Sequence, residues 1–144
     1  MVAYLDSSVV LEHILKGDKA ISQALSCDRT ISSELLEIEC RRVLHRYRLQ
    51  GHLDDTGFIQ AVERLESVLN GVSLISMSSR VLKRAGQSFP LIIRTLDALH
   101  LSSAEIYREE NPDDSVLLFT FDRQLNQCAG VMDYTVPFSA SVSG

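Results

Sequence analysis

Short apolar runs alternate with longer amphipathic segments along this 144-residue chain. The runs at 2–5 and 115–121 are almost entirely apolar, which is typical of strands that are covered on both faces. Segments such as 33–50 and 95–109 instead carry apolar residues at helical spacing, so that each has one apolar face. Strands separated by helices pair in parallel, because the helix carries the chain back across the sheet. The pattern predicts a layered α/β domain with a parallel sheet and helices on both sides.

Five strands are predicted in all, at residues 2–5, 29–32, 72–77, 115–121 and 131–136. No repeat, low-complexity segment or linker divides the chain, and its length suits a single hydrophobic core. We therefore predict one domain over residues 1–138, followed by a flexible serine-rich tail at 139–144.

Four acidic residues occupy positions where apolar residues or turn formers are expected. Asp6 and Asp122 each follow a predicted buried strand directly. Glu39 borders the apolar stripe of one predicted helix, and Asp97 faces inward in the first turn of another. In open parallel sheets, sites form beyond the carboxyl ends of the strands, near the switch in strand order. The four carboxylates are therefore expected to converge in one cleft at that edge.

Converging carboxylates repel one another and destabilise an empty site unless a cation compensates them. Oxygen ligands alone suit a hard divalent ion such as Mg²⁺ or Mn²⁺. Such an ion activates water and stabilises the charge that develops on a phosphoryl group. Metal-assisted phosphodiester hydrolysis is therefore the predicted reaction class. Ser8 and Thr120 could support metal-bound waters or the acids, although helix capping and strand propensity explain these two residues nearly as well.

Each acid also has a local explanation that leaves no site. Asp6 and Asp122 could be only helix N-caps, and Glu39 could pair with an arginine of its own helix. Asp97 could be an acid favoured by the helix macrodipole. All four explanations must hold together to remove the site. His100, one turn after Asp97, could act as a base, but a packed or hydrogen-bonded structural role is favoured.

The net charge of −5 argues against binding nucleic acid by bulk electrostatics. Local basic contacts remain open, and Arg41, Arg42 and Arg46 on one predicted helix are candidates. Solvated helix faces explain each of them equally simply. The overall charge does not identify the partner.

The chain lacks an apolar run of the roughly 20 residues that span a bilayer. Its N-terminus has no basic segment and reaches Asp6 almost at once, so no signal peptide is predicted. We expect a soluble, cytoplasmic protein without a membrane partner. Cys27, Cys40 and Cys128 form no CxxC pair, which predicts reduced thiols rather than disulfides or a zinc site.

Four short blocks, in order along residues 4–122, resemble the signature blocks of a PIN domain, and most closely the VapC-like toxins of bacterial and archaeal type II toxin–antitoxin systems. The blocks are Tyr-Leu-Asp-Ser-Ser at 4–8, Ser33-x-Leu35-x-x-x-Glu39 followed by Arg42-Val43-Leu44, Leu-Asp-Ala-Leu-His at 96–100, and Phe-Thr-Phe-Asp at 119–122. Each block alone is weak, whereas the ordered set is specific. The family often has Asn where this chain has Ser8, which puts in doubt only the detailed role of that residue.

The resemblance implies a three-layer α/β/α sandwich with a central parallel sheet and an Mg²⁺- or Mn²⁺-dependent endoribonuclease. Asp6, Glu39, Asp97 and Asp122 match the acidic metal ligands and catalytic residues of the family. It further implies an RNA substrate, a homodimer and inhibition by a cognate antitoxin protein.

Two other classes of function compete with this one, a non-catalytic interaction module and a phosphatase or phosphotransfer domain. A non-catalytic PIN-like module could use the same acidic cleft to bind a basic segment of a partner. A phosphatase of the haloacid-dehalogenase type would require Asp at position 8, where this chain has Ser8. A receiver domain would require adjacent acids after the first strand and a late lysine, and that pattern is absent from the sequence.

Overall fold

A four-stranded parallel sheet forms the centre of the protein, for which the computed structural model describes residues 1–138. The strands are β1 (Val2–Leu5), β2 (Arg29–Ser33), β3 (Ser73–Ile75) and β4 (Val116–Phe119). They lie in the order β3-β2-β1-β4, so that β1 pairs with β2 on one side and with β4 on the other. The tail predicted at 139–144 lies outside the described residues.

Helices cover both faces of this sheet. In chain order they are α1 (Ser7–Lys16), α2 (Ile21–Leu25), α3 (Leu35–Leu49), α4 (Asp55–Asn70), α5 (Ser79–Ala85), α6 (Thr95–Glu110) and α7 (Arg123–Val131). Residues of α1, α3 and α4 pack with Ala3 and Leu5 in one apolar cluster. Residues of α6 and α7 pack with Val2 and Tyr4 in a second cluster. The predicted three-layer α/β/α arrangement is confirmed.

The first strand holds the centre of the sheet because both of its faces are apolar. All four of its residues are buried, and Tyr4 lies between Ile31 of β2 and Leu118 of β4. Successive side chains of a strand point to opposite faces, so β1 contributes to both clusters. The near-continuous apolar run in the sequence reflects this double burial.

The fifth strand predicted at residues 131–136 is wrong. Helix α7 continues to Val131, and only an isolated parallel bridge joins Thr135 to Leu117. Asp133 has a φ of 67°, a left-handed conformation that interrupts an extended segment. The amide of Tyr134 donates back to the carbonyl of Ala129 in α7 at 3.0 Å. That amide is therefore not available to pair with a neighbouring strand.

Two helices bring acidic residues toward the carboxyl edge of the sheet. Leu36, Cys40 and Leu44 of α3 are fully buried at a spacing of four, and they fix the rotation of the helix about its axis. In α6, nine residues are buried, including Asp97 in the first turn.

Among residues 1–138, no helix combines the length and apolarity needed to cross a membrane. Cys27, Cys40 and Cys128 form no disulfide within residues 1–138.

Candidate active site

The four predicted acids line a single cleft of about 440 Å³ at the carboxyl edge of the sheet. Asp6 directly follows β1, and Asp122 lies three residues beyond the end of the neighbouring β4. Glu39 is in the second turn of α3 and Asp97 in the first turn of α6. The remaining lining residues are Ser7, Ser8, Arg94, Thr95 and Leu96. The structure thus places all four acids together. They lie at the switch in strand order, because the chain adds β2 on one side of β1 and β4 on the other.

Asp6 is held by two hydroxyl groups. The carboxylate is only 5% exposed, and its Oδ2 accepts hydrogen bonds from Thr120 Oγ1 at 2.6 Å and from Ser8 Oγ at 2.9 Å. Although Asp6 is the N-cap residue of α1, its side chain makes no capping hydrogen bond. The local explanation for Asp6 is therefore wrong, and Ser8 and Thr120 lie where they can orient the carboxylate. Their effect on an ion or a substrate stays a prediction.

Glu39 is held by a buried hydrogen-bond chain rather than by an arginine of its own helix. His100 Nε2 donates to Glu39 Oε1 at 2.5 Å, and the hydroxyl of Tyr4 lies 2.8 Å from His100 Nδ1. His100 is 0% exposed and is not among the residues that line the cleft. The structural role favoured from the sequence is confirmed, and the partner it serves is Glu39.

The surroundings of His100 act on its pKa in opposite directions. Burial by itself lowers the pKa of the ring, because it disfavours the charged form. The hydrogen bond to Glu39 and the negative charges of Asp6, Glu39 and Asp97 outweigh burial, and the net pKa of His100 is raised. The raised pKa means that the acids around the imidazole favour its positively charged form.

Removing the Tyr4 hydroxyl tests this buried chain. Tyr4→Phe leaves Nδ1 of His100 without its partner, and we expect the free energy of unfolding to fall by about 1–3 kcal/mol. Tyr134→Phe is the matched control, because the Tyr134 hydroxyl is buried without a hydrogen-bond partner among the described residues. That control should change stability by less than about 0.5 kcal/mol. Urea denaturation of both variants makes the comparison, and equal losses would contradict a specific role for Tyr4.

Asp97 carries an unsatisfied oxygen. The residue is 6% exposed, and its Oδ2 has no hydrogen-bond partner among the described residues. Burial, followed by the negative charges of Asp122 and Asp6, raises the pKa of this carboxyl group, although Arg94 opposes the shift. Among the described residues, only Arg94 pairs with this oxygen, through Nε at 3.5 Å, and because a buried polar atom without a hydrogen bond is costly, a cation bound in the cleft would satisfy it better.

Asp122 already has partners for both oxygens. Oδ1 accepts from the amide of Leu125 at 2.9 Å, which is the N-cap interaction considered from the sequence. Oδ2 accepts from Arg94 Nη2 at 2.9 Å. The local explanation for Asp122 is thus correct for one oxygen, while the other faces the cleft through an ion pair.

The three arginines predicted to contact RNA have different surroundings. Arg41 pairs with Glu37 at 2.9 Å and lies 3.7 Å from Glu66. Arg42 is exposed and makes no ion pair within the described part of the chain. Arg46 lines a separate cleft at the end of α3, with Lys16, Tyr47 and His52 among its neighbours. The structure brings none of the three into the acidic cleft.

The donor set of the cleft fits a hard divalent ion, although the carboxylates are not yet arranged around one. Within residues 1–138, no three His, Cys, Asp or Glu side chains are spaced to ligate a common ion. Glu39 and Asp122 each accept a hydrogen bond from a protein donor, from His100 and from Arg94 respectively. Four carboxylates, one of which has an unpartnered buried oxygen, are nevertheless the ligands that Mg²⁺ and Mn²⁺ prefer.

Arg94 belongs to the cleft although it was not predicted as a site residue from the sequence. Of the arginines between α4 and α6, Arg80 and Arg84 lie outside the cleft lining and Arg94 is part of it. Its position three residues before Asp97, just outside α6, was the available signal, because residues three apart at a helix start are neighbours.

Comparisons with known proteins agree with this fold. The family model described as "PIN domain" matches residues 3–131. Among solved structures, the chain is similar to one in the crystal structure of VapBC2 from Rickettsia felis bound to a DNA fragment from their promoter. The TM-score is 0.65 at 16% identity, over 94% of this chain and 97% of that one, which is a likeness of fold. No curated protein matches in sequence.

Proposed function

This chain belongs to the PIN-domain family, and we propose that it is a metal-dependent endoribonuclease that serves as the toxin of a toxin–antitoxin pair. PIN domains are typically nucleases and generally use divalent metal ions. The observation that carries the proposal is a single cleft lined by carboxylates from four separate parts of the chain, Asp6, Glu39, Asp97 and Asp122. Phosphodiester hydrolysis is the chemistry that such a ligand set serves.

The four carboxylates are the proposed ligands of Mg²⁺ or Mn²⁺. When bound, the ion supplies positive charge that makes a nearby water more acidic and stabilises the anionic phosphoryl group. Asp97 would help to hold the ion with Oδ2, which is buried without a hydrogen bond and has only a 3.5 Å ion pair with Arg94. Asp122 would use Oδ2, now paired with Arg94, because Oδ1 caps α7 through the amide of Leu125.

Two of the carboxylates are positioned by fixed donors. Thr120 and Ser8 fix one oxygen of Asp6, whose Oδ1 lies 3.9 Å from His100 Nε2. His100 fixes one oxygen of Glu39. Because each carboxylate is held on one side, its orientation toward the cleft costs little when substrate arrives. We infer that Glu39 or Asp6 orients the attacking water and accepts its proton.

RNA contacts are proposed on the exposed side of α3. Arg42 lies three residues after Glu39, on the same side of the helix, and it is exposed. Arg41 and Arg46 extend the basic surface along that helix. With a net charge of −5, binding must depend on a few local phosphate contacts, so we propose single-stranded RNA as the substrate.

The proposed partners are a cognate antitoxin protein and a second copy of this chain, in the cytoplasm. Support comes from the VapBC2 complex, whose solved structure with promoter DNA shares this fold. The acidic cleft, which attracts basic side chains, is the proposed docking point for that inhibitor.

Cleavage assays with purified protein test the activity. We expect single-stranded RNA to be cleaved at least about a hundredfold faster with millimolar Mn²⁺ than with EDTA, and excess Mn²⁺ should restore activity after chelation. Hairpin RNA of the same composition serves as the substrate control. Equal cleavage in EDTA and Mn²⁺ would exclude the proposed mechanism.

One observation favours a second function, a non-catalytic module that binds a basic partner segment. The cleft already accepts a guanidinium group, because Arg94 pairs with Asp122 at 2.9 Å. A basic peptide could bind in the same way. Thermal melting separates the two functions, because a metal site gains stability with Mn²⁺ in proportion to the logarithm of its concentration. A protein that ignores Mn²⁺ but is stabilised by an arginine-rich peptide would favour the module.

A further inference from the structure

Arg94 has contacts that the proposed function leaves unexplained. It immediately precedes α6, and its side chain extends over the cleft. Nη2 donates to Asp122 Oδ2 at 2.9 Å, and Nε lies 3.5 Å from Asp97 Oδ2, the oxygen that lacks a hydrogen bond. One guanidinium therefore bridges two carboxylates of the proposed ligand set, one from the first turn of α6 and one from the segment between β4 and α7.

Neighbouring arginines are bound elsewhere. Arg80 pairs with Glu109 and Glu110, and Arg84 pairs with Glu105 at 2.8 Å. These three glutamates lie in the C-terminal half of α6 and are not among the residues that line the cleft. Among the described residues, Arg94 is the one basic side chain that contacts the cleft carboxylates from its rim.

The bridge is suited to exchange. The Arg94 side chain is 73% exposed, and ion pairs of long exposed side chains are weak because solvent and side-chain entropy oppose them. A divalent ion carries twice the charge and binds the same oxygens. The ion and the guanidinium cannot both hold Asp97 Oδ2 and Asp122 Oδ2 at close range.

We propose that Arg94 is an exchangeable counterion of the cleft, which pairs with Asp97 and Asp122 in the metal-free protein and moves to a substrate phosphate when a divalent ion takes those carboxylates. The inference rests on the proposed metal-dependent function. The planar guanidinium binds phosphate oxygens with two parallel hydrogen bonds, and its backbone stays anchored at the mouth of the cleft beside Thr95.

Mn²⁺ binding to the RNA-free protein tests the first half. We expect Arg94→Ala to bind Mn²⁺ roughly fivefold more tightly in calorimetry, because a competitor and a like charge are removed. Arg123→Ala is the matched control: it removes the same charge beside Asp122, and Arg123 makes no ion pair within residues 1–138. The control should change the Mn²⁺ affinity by less than about twofold. Weaker or unchanged Mn²⁺ binding in Arg94→Ala would overturn the proposal.

Oligonucleotide binding tests the second half. In saturating Ca²⁺, we expect Arg94→Ala to bind a fluorescent single-stranded RNA roughly fivefold more weakly than wild type, with a salt slope smaller by about 0.7. Arg94→Lys should retain part of the RNA affinity, because lysine keeps the positive charge but cannot donate the two parallel hydrogen bonds of the guanidinium group. Unchanged RNA affinity in Arg94→Ala would also overturn the proposal. If wild type binds no Mn²⁺ at all, the proposed metal-dependent function fails first, and the two failures are distinguishable.

Discussion

Replacing Asp6 with Asn is expected to lower RNA cleavage by at least about a thousandfold, since the site loses a ligand charge and an oriented acceptor together. Asp6 is buried at the end of the central strand, and Thr120 and Ser8 fix one of its oxygens. Asn preserves the volume and can still accept from one hydroxyl, so the fold should survive. Initial rates on single-stranded RNA in Mn²⁺, with circular dichroism and thermal melting of each variant, measure the effect.

Asp133→Asn is the matched control for that experiment. It removes the same charge at a position outside the cleft, and its φ of 67° is a conformation that Asn adopts readily. We expect its cleavage rate to stay within about twofold of wild type. Activity that survives in Asp6→Asn would point to a contaminating nuclease or to a mechanism without this carboxylate.

The second large effect is expected at Asp97. Asp97→Asn should stabilise the metal-free protein by about 1 kcal/mol, because it removes a buried charge that Asp122 and Asp6 repel. The same variant should lose most of the stabilisation that Mn²⁺ gives to wild type, which is about 2.7 kcal/mol at a hundredfold excess over the Kd. Thermal and urea unfolding in EDTA and in Mn²⁺ measure both changes.

The pH dependence of this effect follows from the pKa of Asp97, which is raised in the folded state mainly by burial. The folded protein therefore binds this proton more tightly than the unfolded chain does, and ionisation of Asp97 destabilises the fold. The stability difference between Asp97→Asn and wild type should be absent below the ordinary Asp pKa of about 3.9. It should develop as the pH rises through the raised pKa of the folded state and stay constant above it.

Asp55→Asn controls for charge removal in the first turn of a helix, since Asp55 opens α4 far from the cleft. Its exposed pair with Arg48 should be worth no more than about 1 kcal/mol, and its loss should not alter the response to Mn²⁺. An Asp97→Asn variant that keeps the full response to Mn²⁺ would refute the proposed ligand role of Asp97.

The fold was largely predictable because burial leaves a direct trace in the sequence. The runs at 2–5 and 115–121 are apolar because β1 and β4 are covered on both faces, and α3 shows its buried stripe at the expected spacing. The error at 131–136 has a physical reason. A short apolar segment near the chain end can be buried either as a strand or as a helix end followed by a turn. The spacing of its apolar residues does not distinguish these two structures.

The site was predictable in its residue types but not in its pairings. Asp6 and Asp122 stood out because carboxylates directly after apolar runs are costly without compensation, and both line the cleft. The partners came from distant parts of the chain: Thr120 for Asp6, His100 for Glu39 and Arg94 for Asp122. Most of these contacts join residues many positions apart, so no local pattern reveals them.

The amino-acid sequence by itself determined the parallel α/β domain and the four acids, because hydrophobic periodicity and misplaced charge are local properties of a chain. Tertiary structure alone decided that a buried histidine holds Glu39, that one oxygen of Asp97 is buried without a hydrogen bond, and that Arg94 bridges two carboxylates. Hydrogen bonds and ion pairs depend on distances of a few ångströms between atoms, and those distances exist only after the sheet has assembled and its helices have packed against it.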